Sequence, residues 1–99
     1  MVQIKMQPSL SLPTALNTET VTAIWRELRN KLKTSKELTL DLQGVTDADS
    51  AGVALLVAAI SDAKANSKTL QIQNIPKLIL DIARIGGVDD MICSCENSD

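Results

Sequence analysis

Hydrophobic positions change period several times along the chain, and each change marks an element. Val2-Gln3-Ile4-Lys5-Met6 alternates apolar and polar residues, which predicts a strand with one buried face. Pro8 and Ser9 predict a turn, and Leu10-Ser11-Leu12 resumes the alternation before Pro13 ends it. The two runs predict a short hairpin or an edge strand. The period then lengthens: Val21, Ile24, Trp25, Leu28 and Leu32 form one helical stripe. This helix is predicted to begin near Asn17 or Thr18, either of which can cap it, with Glu19 complementing the helix dipole. Trp25 is read as part of the core. Leu38, Leu40 and Leu42 alternate with Thr39 and Asp41 and predict a central strand.

A second helix is predicted from about Ser50 to Ala65, and its pattern differs from the first. From Ser50 to Ala59 it is apolar, glycine or small on nearly every side. A helix apolar all round is buried on more than one side, and in a chain this small part of that burial is expected from a partner protein. Thr69-Leu70-Gln71-Ile72-Gln73 predicts another strand. Pro76, tolerated in a first turn, opens a third helix with Leu78, Ile79, Ile82, Ala83 and Ile85 on its apolar side. Gly86-Gly87 stops it. Val88-Asp89-Asp90-Met91-Ile92 reads as a last turn or short edge strand, and residues 92–99 as a disordered polar tail.

The predicted order, β-β-α-β-α-β-α, implies an α/β sheet with parallel pairs joined by right-handed crossovers. The 99 residues make one domain over 1–99, without repeat or linker. Trp25 is the single aromatic residue, so the core is aliphatic and base-stacking platforms are lacking. A net charge of −2 and a pI near 5.0 also disfavour nucleic acid as a partner. Lys31, Lys33 and Lys36 fall where a helix would end and read as a solvated terminus. The longest apolar run, Ala51 to Ile60, is about half the ~20 residues that a spanning helix needs. No basic region followed by an apolar one stands at the start, so no secretory signal is expected. Cys93 and Cys95 are read as reduced thiols in a reducing compartment. With no histidine, two cysteines do not make a structural zinc site.

The candidate chemistry lies in Asp49-Ser50-Ala51-Gly52, where strand gives way to helix. The absence of histidine removes Ser-His-Asp and Cys-His arrangements, and no lysine stands near Ser50 in sequence to replace it. Asp41, Asp47 and Asp49 are of the type that holds Mg²⁺. Each has a plainer role: Asp49 caps or stiffens the turn, Asp47 is a loop residue, and Asp41 points to the solvated side of its strand. The expectation is therefore no enzyme, no cofactor and no metal, with a hydroxyl offered at a helix N-terminus for docking or phosphorylation.

The strand Leu38 to Leu42, the Asp49-Ser50-Ala51-Gly52 turn, the apolar helix behind it and the closing Ile85-Gly86-Gly87-Val88-Asp89-Asp90-Met91-Ile92 together resemble the STAS domain family. The likeness runs from about residue 2 to residue 93. It implies a STAS fold, a mixed four- to five-stranded sheet with about three to four helices. Ala15-Leu16-Asn17, Ile24-Trp25 and Gly52-Val53-Ala54-Leu55-Leu56 are similar to the small STAS subunit of the Mla phospholipid-transport ABC system. That resemblance implies a cytoplasmic subunit, peripheral at the inner membrane, that binds the ATPase of an ABC transporter maintaining outer-membrane lipid asymmetry. The alternative it implies is a switch like an anti-sigma factor antagonist, whose partners are a serine kinase and an anti-sigma factor. Under either, Asp49, Ser50, Ala51, Gly52, Val53 and Leu56 are the partner-binding or phosphorylation residues. Ser50 would cap the helix, and Ala51 and Gly52 would let a partner backbone approach closely. No phosphate-cradling glycine loop accompanies these residues.

Overall fold

Leu38, Thr39 and Leu40 are consecutive and all buried, so the strand that carries them, β3 (Glu37–Asp41), is covered on both faces. It is the middle strand of a three-stranded sheet, between β1 (Ser9–Ser11) and β5 (Thr69–Gln73). Both pairings are parallel, and Leu40 stands beside Leu10 on one side and Ile72 on the other. The structure, a computed structural model, describes residues 9–96. The strand expected over Val2 to Met6, and the hairpin built on it, lie outside the described residues.

The crossovers between these strands carry helices α1 (Val21–Thr34) and α2 (Ser50–Ala65), and α3 (Lys77–Ile85) and α4 (Asp89–Cys93) follow β5. Their apolar sides close over one aliphatic core in which Leu16, Leu28, Leu40, Leu56, Ile60, Ile72, Ile79 and Ile92 are fully buried. As the pattern predicted, α2 is buried on several sides. It packs on β5, with α1 along one flank and α3 and α4 along the other. The fold itself therefore supplies most of that burial. A partner is left only a narrow strip, on which Ala54 and Ala58 are exposed.

Three boundaries differ from expectation, each for a local reason. α1 begins later than Asn17, because Ala15–Leu16 (β2) is held extended by parallel pairing with Asp47–Ala48 (β4). The intervening turn is tied by its own side chains: Asn17 Oδ1 accepts from the Glu19 amide (2.9 Å), and Thr20 Oγ1 accepts from the Asn17 amide (3.0 Å). Pro76 is the cap residue of α3, with extended backbone, rather than a first-turn residue. The start of the expected tail is not a tail. Ile92 is buried within α4, and the Ile72 amide donates to the Cys95 carbonyl (2.8 Å), laying residues 95–96 beside β5. The glycine stop is a full Schellman motif. Gly87 adopts φ +74, its amide donates to Arg84 (3.1 Å), and the Val88 amide donates to Ala83 (2.9 Å).

Asp41 ties the ends of two strands together. Its Oδ1 accepts from Asn74 Nδ2 (2.9 Å) and from the Gln43 amide (3.0 Å). These donors favour the carboxylate, the Asn74 amide most, and hold its pKa below the ordinary aspartate value of 3.8. A depressed folded-state pKa contributes stability that is present above the unfolded pKa and lost as pH falls through the folded one. The contribution should thus disappear only in strong acid, below about pH 4. Asn74→Gly, which suits the φ of +58 there, should raise the Asp41 midpoint in a carboxyl NMR titration. Equal midpoints in the two proteins would contradict this account.

Candidate functional site

The start of α2 is fixed by the β2–β4 pair. The Thr14 carbonyl accepts from the Thr46 (2.9 Å) and Asp47 (3.0 Å) amides, and the Leu16 carbonyl accepts from the Asp49 amide (3.1 Å). The chain then turns, and the extended backbone of Asp49 makes it the helix cap. Its carboxylate accepts from the Ala51 amide (2.9 Å), and its carbonyl accepts from the Gly52 amide (3.0 Å). Of the two residues read as caps, Asp49 fills that place and Ser50 does not. A carboxylate one residue earlier reaches the free amide and is favoured by the helix dipole. Ser50 is instead the first helical residue, exposed at the end of the parallel sheet where the C-terminus of β3 leads into the loop. Asp49→Ala should cost about 1 kcal/mol in urea unfolding, with Asp49→Ser recovering most of it. An unchanged midpoint for the alanine variant would contradict the capping role.

Gly52 does allow a close backbone approach, but of the chain to itself. A Cβ there would lie 2.7 Å from both Leu16 Cβ and the Leu16 carbonyl oxygen. The space that was expected to admit a partner is thus filled by β2. Val53 and Leu56 are buried and face the core, so of the six candidate residues only Asp49, Ser50 and Ala51 reach the surface. Asp47 is exposed nearby. Among the described residues no group of three or more Cys, Asp or Glu is arranged to hold a metal ion.

Two apolar grooves flank the exposed alanines. One, about 390 Å³, lies between α1 and α2 and is lined by Val21, Thr22, Trp25, Ala51, Leu55 and Ala58. The other, about 410 Å³, lies between α2 and α3 and is lined by Ser50, Val53, Val57, Ile82, Gly86 and Val88. Ala54 and Ala58 border both. Trp25, read as core, is half-buried and walls the first groove. Ile85, read as part of the apolar side of α3, is 90% exposed at its end. The groove walls on α1 and α3 were missed in the sequence. Their signal was the stripe edge at Val21 and Trp25, and periodicity does not separate an edge from a core position.

The family model described as "Mlab, STAS domain" matches residues 2–93. The chain belongs to the STAS domain family. Its fold agrees with that assignment. The solved structure of the anti-sigma factor antagonist SpoIIAA in its unphosphorylated form superposes with a TM-score of 0.71, covering 98% of this chain and 84% of that one. At 12% identity this is a likeness of fold. No curated protein sequence matches the chain. The STAS assignment and its Mla-like similarity are those implied by the Asp49-Ser50-Ala51-Gly52 turn and its flanking elements. The described strands are five in two sheets, three and two, and their pairings are parallel. Among the described residues no helix is long and apolar enough to cross a membrane.

Proposed function

We propose that this STAS chain is a non-catalytic subunit that binds the ATPase of an ABC-type phospholipid transporter at the cytoplasmic face of the inner membrane. The observation that carries the reading is the α2 surface: Ser50 exposed beside a ridge of Ala54 and Ala58, with an apolar groove on each side. Small residues on the ridge let another backbone come near, and the grooves accept its apolar side chains. The Mla-like family match supports an ABC ATPase as the owner of those side chains.

The exposure of Ser50 also favours a second reading, a partner switch in which a serine kinase modifies it. A phosphate would add about −1.5 to −2 charges beside the Asp49 carboxylate, which already occupies the Ala51 amide. It would repel an apolar partner and empty the site.

Co-expression with the ATPase subunit of an Mla-type ABC phospholipid transporter from the same cells, followed by affinity purification, tests the first reading. The expected result is a stoichiometric complex that Ser50→Glu weakens by about tenfold or more. A subunit that stays free of that ATPase at micromolar concentration contradicts it. Intact-mass analysis of the protein from native cells tests the second, which fails if Ser50 never carries a phosphate.

A further inference from the structure

Five of the ten lysines and arginines lie between Arg26 and Lys36, where Glu27 is the single acid, in a chain of net charge −2. Lys31 and Lys33 stand in the last turn of α1, where they complement its dipole. Arg26 and Arg29 stand too far back along the helix for that role. With Asn30 and Lys33 they form one exposed stripe, because positions three and four apart share a helix face. Glu27 falls off this stripe.

The stripe borders a cleft. Between the C-terminal halves of α1 and α2, a hollow of about 330 Å³ is lined by Arg29, Leu32, Lys33, Asp62, Asn66 and Lys68. Two of its cations are held in position. The Arg29 guanidinium lies over the Trp25 ring, 5.7 Å from its centroid, and Lys68 Nζ donates to the Ser35 carbonyl at 3.2 Å. Among the described residues the ion pairs are those of Lys77 and Arg84 with Asp81, so these cations meet no carboxylate within 4.0 Å. The stripe is also continuous with the α1–α2 groove, since Thr22 and Trp25 line both.

We propose that the cationic stripe and cleft form a second docking surface, which takes an acidic polypeptide segment of the partner seated on α2. The identity of that partner rests on the docking reading above; the chemistry of the surface does not. Three cations against one carboxylate select an anionic occupant. A concave cleft receives side chains, whereas a flat lipid headgroup plane would meet only its rim. Leu32 at the cleft floor and Trp25 at the groove wall add apolar contact to a carboxylate-rich chain.

The test titrates hexaglutamate into the isotopically labelled protein at low salt and follows backbone amide shifts. Saturable shifts are expected at Arg29, Lys33, Asn66 and Lys68, with apparent affinity falling about tenfold as ionic strength rises from about 0.02 to about 0.2 M. The double variant Arg29→Glu/Lys33→Glu should lose the shifts, and the milder Arg29→Gln/Lys33→Gln should weaken them about fivefold, both with an unchanged circular dichroism spectrum. Val57→Gln, an uncharged change in the α2–α3 groove away from the cations, should weaken ATPase binding and leave the titration unaltered, so this surface and the docking reading can fail separately. Absence of saturable shifts at millimolar peptide would overturn the proposal, as would equal shifts around Lys77 and Arg84. Binding of the free protein to phosphatidylglycerol vesicles that Arg29→Glu/Lys33→Glu abolishes would assign the surface to lipid and overturn it too.

Discussion

Gly52→Val is expected to prevent folding, and Gly52→Ala to cost about 3 kcal/mol, near the upper end for an overpacked site. The first added carbon would stand 2.7 Å from the Leu16 carbonyl oxygen and from Leu16 Cβ. Neither atom is the free end of a flexible chain. The Leu16 carbonyl accepts from the Asp49 amide, Leu16 is fully buried, and its backbone is paired with Ala48. Relief would require α2 to move off β2, opening the core at Leu56 and Ile60. Valine adds two further methyl groups to the same gap. For a domain with a typical stability of about 5–15 kcal/mol, alanine should be tolerated and valine should not. Urea unfolding of Gly52→Ala and the soluble yield of Gly52→Val check this. An alanine variant as stable as the parent would show that β2 yields without cost.

Ala54→Arg should lower affinity for the ABC ATPase by about 100-fold, equivalent to about 2.7 kcal/mol, while leaving stability within about 0.5 kcal/mol. Ala54 is exposed and borders both grooves, so an arginine there fills the ridge without entering the core. A partner backbone resting on the ridge would be lifted off both grooves at once, and a guanidinium would be stranded in an apolar contact. Calorimetric titration with the purified ATPase and parallel urea unfolding separate the two effects. Undiminished binding would move the docking surface away from α2.

Local signals in the sequence were enough to place β3 at the centre of the sheet, to make α2 a helix buried on several sides, and to end α3 at Gly86-Gly87. Each depends on a periodicity or a backbone requirement that a few neighbouring residues determine. The pair β2–β4 was not legible. Two residues on each side show no alternation, and the pairing joins segments that are far apart in sequence. That omission had consequences for the site. Without β2 in place, Gly52 looked like an opening for a partner, and Asn17 looked like the start of α1. The surface of α2 was anticipated from its small residues. Which of its neighbours faced outward depended on where α1 and α3 came to lie, and tertiary packing alone decides that.

The Ile72–Cys95 hydrogen bond bears on how the protein behaves in solution. β5 ends the described sheet, and an edge strand with free amides and carbonyls recruits strands from other molecules. Here the segment after α4 lies along that edge, with the Cys95 carbonyl already on the Ile72 amide. Residues 95–96 thus act as a guard against edge-to-edge aggregation. Truncation after Ile92 would leave the core side chain in place and uncover the edge of β5, so constraint on Cys95 and Glu96 reaches further than their few buried atoms suggest.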